Sequence, residues 1–282
     1  MEKVKIVTDS TCYMPKSYLE QYGIEVVPLY VRFGDEVMME NELNFDEFYK
    51  KVRTSKILPE TTQPSPEDFE RVYRKYLDEG YDIISIHISL GISGTINSAN
   101  AAKEALKSDK IHIFDSKFTS MGLGFQILEI AKMLYEENYQ LDKVLEEIPL
   151  LAKHMNIYFL VDDLFWLARL GRIGKARAVL GTWIKVKPIL YFDDGVVNVL
   201  EQPRTTQRGK ERMFELMKER IDKLGLKYIT VTYGDNLKEA EEYRDFLERE
   251  LNRSISLTQL GPVIGTHTGP GVLSIHFYTE RI

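Results

Sequence analysis

Hydrophobic positions in the first half of the chain form short runs separated by longer segments of helical periodicity. The runs are rich in Ile, Val, Tyr and Phe and are bounded by Gly, Asp or Ser: Lys3–Thr8, Glu25–Val31, Tyr81–Ser89 and Lys110–Phe114. Such runs are typical of buried strands. Because they alternate with helical segments, they predict a parallel sheet with helices on both faces.

The clearest predicted helix begins after Ser65, which has the side chain of an N-cap. Pro66 occupies the first helical position and Gly80 ends the helix. Apolar residues follow at helical spacing and form one stripe: Phe69, Val72, Tyr73, Tyr76 and Leu77. The pattern predicts an amphipathic helix that packs on the sheet.

The hydrophobic pattern changes after a predicted helix at Leu141–His154. Two strands around Asp193–Gly195 predict a β-hairpin. The remaining predicted elements are the strands Ile157–Val161, Tyr228–Tyr233, Ile255–Leu260 and Val272–Tyr278 and the helices Thr205–Leu224 and Asn236–Leu251. The fold class is therefore α/β with two α/β domains, residues 1–155 with a mostly parallel sheet and residues 156–282 with a mixed sheet.

Composition narrows the possible partners and compartments. The 282 residues include 37 Lys and Arg against 43 Asp and Glu, a net charge of -6, which argues against nucleic acid as the main partner. Cys12 is the only cysteine, so no disulfide within the chain is possible, and the N-terminus lacks the apolar core of a signal peptide. We expect a cytoplasmic protein.

Two long segments contain no Asp, Glu, Lys or Arg, namely Ile83–Ala102 and Ser254–Thr279. Hydroxyl residues, glycine and proline interrupt both, so neither resembles a membrane span. They are compatible with interior strands and tight turns. Alternatively, they gather hydroxyl and backbone groups around a buried ligand.

Carboxylate and hydroxyl residues follow two of the predicted parallel strands. Asp9 and Ser10 come after the first strand, and Asp115 and Ser116 after the fourth. Open α/β sheets bind ligands at the carboxyl ends of their strands. These four residues are predicted to form a site wall, although each could instead cap the next helix.

Several groups in the sequence could hold an anion at a helix N-terminus. Ser93 and Gly94 lie in a Gly/Ser turn before a predicted helix, and Thr61 and Thr62 precede the helix that starts after Ser65. The turn approaches the G-x-S-x-G pattern of serine hydrolases, but Thr95 stands where the last glycine belongs. A hydrolase that uses Ser93 with His267 therefore stays open as an alternative.

His267 lies within Gly265–Gly271, a segment of glycine and hydroxyl residues without a charged neighbour. A structural histidine is the default interpretation of His267, but the flanking glycines suggest backbone strain or a close approach to a ligand. No metal site is expected, since no H-E-x-x-H motif or cysteine supports the histidines. The densest basic stretch, Arg169–Arg177, is either a solvated face or a docking surface.

Seven motifs, taken in order, resemble the DegV family across essentially the whole chain. They are Ile6–Ser10, Thr61–Ser65, Gly91–Thr95, Phe114–Lys117, Val161–Leu164, Gly171–Ile173 and Gly265–Gly271. The family has Ser where this chain has Thr62, and Leu170 departs from the small or polar residue that usually precedes the Gly-Arg-Ile motif.

The resemblance implies a carrier, not an enzyme: the binding subunit of bacterial fatty acid kinase, which encloses one long-chain fatty acid such as palmitate in a buried tunnel, without a cofactor. A separate ATP-dependent kinase then phosphorylates the carboxylate. The expected carboxylate-binding residues are Thr61, Thr62, Ser93, Gly94, His267 and Thr268. Arg172 and Arg169 are expected to serve kinase docking near the tunnel mouth and not the fatty acid.

Overall fold

The structure, a computed structural model, describes residues 3–179, 181 and 186–282. The described strands are β1 (Val4–Asp9), β2 (Glu25–Val27), β3 (Tyr30–Phe33), β4 (Glu36–Met39), β5 (Glu60–Thr62), β6 (Asp82–His87), β7 (Ile111–Asp115), β8 (Met155–Leu160), β9 (Ile189–Asp193), β10 (Val196–Glu201), β11 (Tyr228–Tyr233), β12 (Ser256–Gln259) and β13 (Leu273–Tyr278). The described helices are α1 (Lys16–Gln21), α2 (Phe45–Thr54), α3 (Pro66–Asp78), α4 (Thr95–Leu106), α5 (Met121–Tyr135), α6 (Leu141–His154), α7 (Phe165–Arg169), α8 (Thr206–Leu224), α9 (Leu237–Leu251) and α10 (Pro262–Thr268).

The first half is built on a parallel sheet of order β2-β1-β6-β7. Successive side chains of a strand alternate between its faces. Val7 and Ile83 pack with α3 and α4, whereas Ile6 and Ile84 belong to the cluster that contains α5. The predicted parallel sheet with helices on both faces is confirmed.

Helix α3 begins as its sequence predicts. Ser65 Oγ accepts a hydrogen bond from Asp68 N at 3.2 Å, and Asp68 Oδ2 accepts one from Ser65 N at 3.0 Å. This reciprocal capping box satisfies two N–H groups at the helix start. The segment that presents Thr61 and Thr62 is thereby held directly before a firmly placed helix.

The predicted strand Glu25–Val31 is wrong as a single element. Pro28 separates β2, in the parallel sheet, from β3, which pairs with β4 and β5 in a small antiparallel sheet. Proline has no N–H group and cannot continue a strand ladder. The break sends the chain from one sheet to the other, and β5 places Thr61 opposite Val31.

The second half contains a mixed sheet of order β10-β9-β8-β13-β11-β12, as predicted. Strands β11 and β12 pair in parallel, and the other described pairs are antiparallel. Tyr158 and Leu160 pack on the side of α8 and α9, while Ile157 and Phe159 face the first half of the chain. The domain boundary predicted at residue 155 falls on the first residue of β8.

The predicted hairpin is confirmed, with β9 and β10 paired across a two-residue turn. Asp194 and Gly195 have φ angles of +46° and +82°, as this tight turn requires. Ser89 Oγ donates to Gly195 O at 2.8 Å, and Lys117 Nζ lies 3.2 Å from Asp194 Oδ1. We call this junction between the two halves the hairpin contact.

None of the described helices has both the length and the apolar character needed to cross a membrane.

A candidate ligand-binding cavity

A cavity of about 280 Å³ lies where the three sheets meet. Its volume is close to the lower end of the usual range for small-molecule sites, roughly 300–1,000 Å³. Apolar side chains from both halves make up much of the lining, among them Leu29, Ile88, Phe159, Val197 and Ile264. The cavity therefore offers an apolar interior that neither half could form alone.

Thr61 and His267 meet at one end of the cavity. Thr61 Oγ1 lies 2.9 Å from His267 Nε2, although 206 positions separate the two residues. Burial, followed by the positive charges of Arg172 and Arg169, lowers the pKa of His267 to about 3. The imidazole is therefore neutral near pH 7. Its Nδ1 is buried and has no hydrogen-bond partner among the described residues.

His267 is part of helix α10, and the glycines around it allow close packing and a positive φ. Gly269 follows the helix with a φ of +72°, and a Cβ atom there would overlap Trp166. Gly265 packs against the ring of Tyr49. The close approaches that the glycines permit are thus to aromatic side chains of the protein itself.

Ser93 lies in the turn between β6 and α4 and lines the same cavity. Its backbone N–H donates to Ser89 O at 3.0 Å, and its Oγ lies 2.9 Å from Thr95 Oγ1. Gly94 is the N-cap of α4 and does not line the cavity. A Cβ at Gly94 would overlap the amide of Gln63, so glycine permits this close packing.

Thr62 and Thr268 also line the cavity. Thr268 Oγ1 donates to Ile264 O at 3.1 Å, one turn earlier in α10. Its hydroxyl proton is therefore engaged with the helix backbone, whereas Thr62 lies on the strand that presents Thr61. Of the six residues expected at the carboxylate, five line this cavity and Gly94 lies behind them.

Arg172 lies in the cavity lining, although its charge-rich sequence segment argued for a place outside the pocket. Its Nε donates to Ile92 O at 3.2 Å, and a terminal nitrogen donates to Leu170 O. The long side chain thus reaches from its own segment to the charge-free loop beside Ser93. The division of the sequence into charged and uncharged segments does not reveal that the Arg172 side chain extends from one to the other.

Arg169 is half-buried and is not among the lining residues. It donates to Thr266 O at 3.4 Å and to Pro59 O, and so connects α7 with α10 and with the residue before β5. Burial lowers its pKa. In this structure Arg169 supports the elements that carry His267 and Thr61.

The four residues predicted as a site wall are absent from the described lining of the cavity. Asp9 accepts from Ile88 N at 2.8 Å, and Ser10 accepts from Leu29 N at 3.0 Å. Asp115 accepts from Lys117 N at 2.8 Å, and Ser116 from Phe118 N at 3.1 Å. Their oxygens satisfy backbone N–H groups of the surrounding loops, and Asp9 also has the helix-capping role that the sequence left open, at the short 3₁₀ helix Ser10–Cys12.

The arrangement needed for a serine hydrolase is not assembled among the described residues. No hydrogen bond joins Ser93 to His267, and no carboxylate orients His267 Nδ1. A histidine with a pKa of about 3 is also a weak base near neutral pH. Within the same part of the chain, no cluster of three His, Cys, Asp or Glu side chains could hold a metal ion.

Five polar lining residues were not identified from the sequence: Gln63, Thr119, Ser120, Ser274 and His276. Ser274 and His276 alternate along β13, inside a charge-free segment predicted to be a buried strand. Polar side chains at alternate positions of a buried strand share one face. That spacing was the available signal for a polar group in the interior.

Comparison with known proteins supports the same fold. The family model described as "Uncharacterised protein, DegV family" matches residues 3–280. A DegV family protein from Thermus thermophilus, described for its fatty acid binding, has a TM-score of 0.89 and 33% identity, with 98% of this chain and 99% of that chain covered.

Two further solved structures are similar over nearly the whole chain. DegV from Bacillus subtilis, described as a fatty acid binding protein, has a TM-score of 0.89 and 36% identity over 99% of this chain and 100% of the other. A stearic acid-binding protein from Eubacterium ventriosum has a TM-score of 0.88 and 28% identity, over 99% of each chain. With a family match from residue 3 to residue 280 and an α/β architecture shared with these structures, the chain belongs to the DegV family.

Proposed function

We propose that the protein binds one long-chain fatty acid, such as palmitate, in the cavity and needs no cofactor to do so. The observation that carries the proposal is the cavity itself, whose apolar walls meet a polar end that contains Thr61, Ser93, His267 and Arg172. The solved relatives described as fatty acid binding proteins support this assignment.

The polar end has the groups that a carboxylate requires. If His267 Nε2–H donates to Thr61 Oγ1, the Thr61 hydroxyl proton is free to donate to the carboxylate. Ser93 and Thr62 supply further hydroxyl donors, and Arg172 supplies the positive charge. The hydrogen bonds to Ile92 O and Leu170 O engage Nε–H and one terminal N–H of Arg172, so further N–H groups of its five remain for a ligand.

The apolar walls provide the driving force. Burial of an acyl chain contributes roughly 0.8 kcal/mol per methylene, or about 10 kcal/mol or more for a long chain. Part of this gain offsets the entropy lost on association. The remainder is enough to retain a fatty acid, and the carboxylate contacts fix which end lies at Ser93.

The proposal includes presentation of the carboxylate to a separate ATP-dependent fatty acid kinase in the cytoplasm, with no turnover by the carrier alone. Arg172 lies at the polar end and is only half-buried, so it has one side toward the cavity and another toward solvent. We assign it to the carboxylate and to kinase docking together, and Arg169 to the support of this end.

Binding is tested by organic extraction of the purified protein followed by lipid mass spectrometry, and by calorimetry of the delipidated protein with palmitate. We expect one fatty acid per chain in both measurements. A delipidated, folded protein that bound no fatty acid would refute the proposed function.

Presentation of the carboxylate to the kinase is tested with the Arg172→Ala variant. The variant is loaded with palmitate and incubated with ATP and the catalytic subunit of a bacterial fatty acid kinase. We expect weaker palmitate binding and, at equal loading, less acyl phosphate than the wild type gives. Arg249→Ala, an exposed arginine on α9 outside the basic stretch, is the control and should behave as wild type. Normal acyl phosphate from fully loaded Arg172→Ala would remove Arg172 from kinase docking.

A further inference from the structure

The cavity contains a second set of polar groups whose hydrogen-bonding capacity is unused. Thr119 Oγ1, Ser120 Oγ and His276 Nδ1 are buried and have no partner among the described residues. The three residues line the cavity, with exposed fractions of 5%, 1% and 2%. An unpaired buried polar group costs roughly 1–3 kcal/mol, and most such groups in folded proteins have a partner.

These groups come from elements other than those that build the proposed carboxylate end. Thr119 and Ser120 lie between β7 and α5, and His276 lies within β13, opposite Ile157 of β8. The carboxylate end is built by β5, the turn before α4, and α10. Gly122, two residues after Ser120, packs closely against Ile157, the cross-strand neighbour of His276. The three groups therefore form a second polar region of the cavity, on the side of α5 and the mixed sheet.

The chemistry of His276 narrows what this region can accept. Its Nε2 lies 3.1 Å from both Thr232 Oγ1 and Ser274 Oγ, so this nitrogen has partners. Burial lowers the pKa of His276 to about 3, which leaves the imidazole neutral. Depending on the tautomer, Nδ1 is therefore an unused donor or an unused acceptor.

A hydroxyl group on the ligand fits this region whichever tautomer His276 adopts, because a hydroxyl group can both donate and accept a hydrogen bond. The hydroxyls of Thr119 and Ser120 have the same dual capacity. A second charged group on the ligand would fit poorly, since Arg172 is the only formally charged side chain among the described lining residues and belongs to the carboxylate end.

We propose that the cavity is adapted to long-chain fatty acids that carry a hydroxyl group on the acyl chain, and that Thr119, Ser120 and His276 bind this hydroxyl. The proposal rests on the proposed function and adds to it the class of acyl chain. A plain acyl chain would leave these three atoms unpaired.

The first test compares octadecanoic acid with a series of hydroxyoctadecanoic acids, each with one hydroxyl at a different carbon, by calorimetry on the delipidated protein. One neutral hydrogen bond contributes roughly 0.5–1.5 kcal/mol. We therefore expect at least one positional isomer to bind about three- to tenfold more tightly than octadecanoic acid. If no isomer binds more tightly, the hydroxyl subsite is overturned while the binding of octadecanoic acid still supports the proposed function.

The second test uses substitutions that remove one hydroxyl and keep the shape of the side chain. Thr119→Val and Ser120→Ala should each reduce the preference for the favoured isomer by about threefold or more, with octadecanoic acid bound at least as well as before. Thr54→Val and Ser254→Ala make the same chemical changes at exposed positions and should retain the preference.

A preference that survived in both cavity variants, and in His276→Phe, would overturn the assignment to these residues. A protein that bound neither kind of acid would instead refute the proposed function, so the two failures are distinguishable. The comparison of isomers on the wild-type protein keeps the proposal falsifiable even if a variant does not fold.

Discussion

His267 contributes hydrogen-bonding capacity to the cavity but no charge near pH 7. Its pKa of about 3 follows first from burial and then from the nearby charges of Arg172 and Arg169. The positive charge at this end of the cavity therefore lies on arginine, whose charge does not depend on pH in the physiological range. Under the proposed function, one guanidinium and several neutral donors would together bind the carboxylate.

The hydroxyl and imidazole donors can be tested one at a time. Ser93→Ala should raise the Kd for palmitate about tenfold or more, because a hydrogen bond to a charged group contributes roughly 1.5–3 kcal/mol. His267→Ala should also raise the Kd, because Thr61 would lose the imidazole partner that leaves its hydroxyl proton free for the carboxylate. Calorimetry with delipidated variants measures this change. Ser254→Ala and His112→Ala, which lie outside the cavity lining, serve as controls, and unchanged affinity in both cavity variants would reject the assignments.

Local motifs identified part of this site, and the residues they missed depend on side-chain reach or on how the strands pair. Thr61, Ser93 and His267 stand out because hydroxyl, glycine and histidine are concentrated in charge-free segments. Arg172 does not, since its position depends on how far its side chain reaches across to Ile92. Nothing in the sequence alone marks His276 as a cavity residue, because its position follows from the pairing of β13 with β8.

At the scale of elements, helix α10 depends on a buried carboxylate for its start. Glu40 accepts from Val263 N at 2.8 Å and from Tyr13 Oη at 2.7 Å. Tyr13 Oη in turn accepts from Ile264 N at 3.2 Å. Glu40 and Tyr13 therefore satisfy two N–H groups in the first turn of the helix that carries His267.

The ionisation of Glu40 should be detectable in the pH dependence of the free energy of unfolding. Burial raises its pKa from 4.5 to about 7, so between these pH values the folded protein retains a proton that the unfolded chain has lost. Stability from this group is complete below pH 4.5 and falls as pH rises to 7. Glu40→Gln cannot ionise and should gain on the order of 3 kcal/mol relative to wild type between pH 4.5 and 8.

Denaturant unfolding of both proteins across that pH range measures the difference. The comparison with wild type is necessary because His267 and His276, with lowered pKa values, make stability rise with pH between about 3 and 6.5. This opposite trend is shared by both proteins and cancels in the difference. Stability curves that stayed parallel from pH 4.5 to 8 would contradict the role of Glu40.

Helices and turns that neighbouring residues encode could be predicted from the sequence. Elements whose form depends on tertiary packing could not. The capping box of α3 and the turn at Asp194 and Gly195 are encoded by neighbouring residues. Helix α5 is buried on nearly every side, so it has no polar face and no amphipathic stripe to detect. The switch from β2 to β3 had one local signal, Pro28, which the apolar run around it obscured.

At the scale of the whole molecule, the largest hydrophobic cluster spans both halves, and each half also has a smaller cluster of its own. The largest cluster of buried apolar side chains includes Ile84 from the first half and Ile157, Val197 and Val272 from the second. The cavity lies inside this cluster and is lined from both sides. The boundary that the sequence pattern predicts at residue 155 therefore runs through a cluster that both halves build, with a separate cluster on either side of it.

Ligand binding should consequently stabilise the whole chain. Palmitate at 100 times its Kd adds about 2.7 kcal/mol, which should raise the Tm of a single unfolding transition by roughly 5–10 °C. Scanning calorimetry with and without palmitate measures the shift. Two separate transitions, of which only one moved with palmitate, would show that the halves unfold independently.

The hairpin contact has a consequence for the speed of ligand exchange. The turn at Asp194 and Gly195 rests on Ser89 and Lys117, while the strands beside it contribute Phe192 and Val197 to the cavity lining. Because the hairpin contact holds this part of the cavity wall in place, the dissociation rate of a bound acyl chain should rise when the contact loosens. Since the Lys117–Asp194 pair is exposed to solvent, added salt should weaken it and hasten exchange.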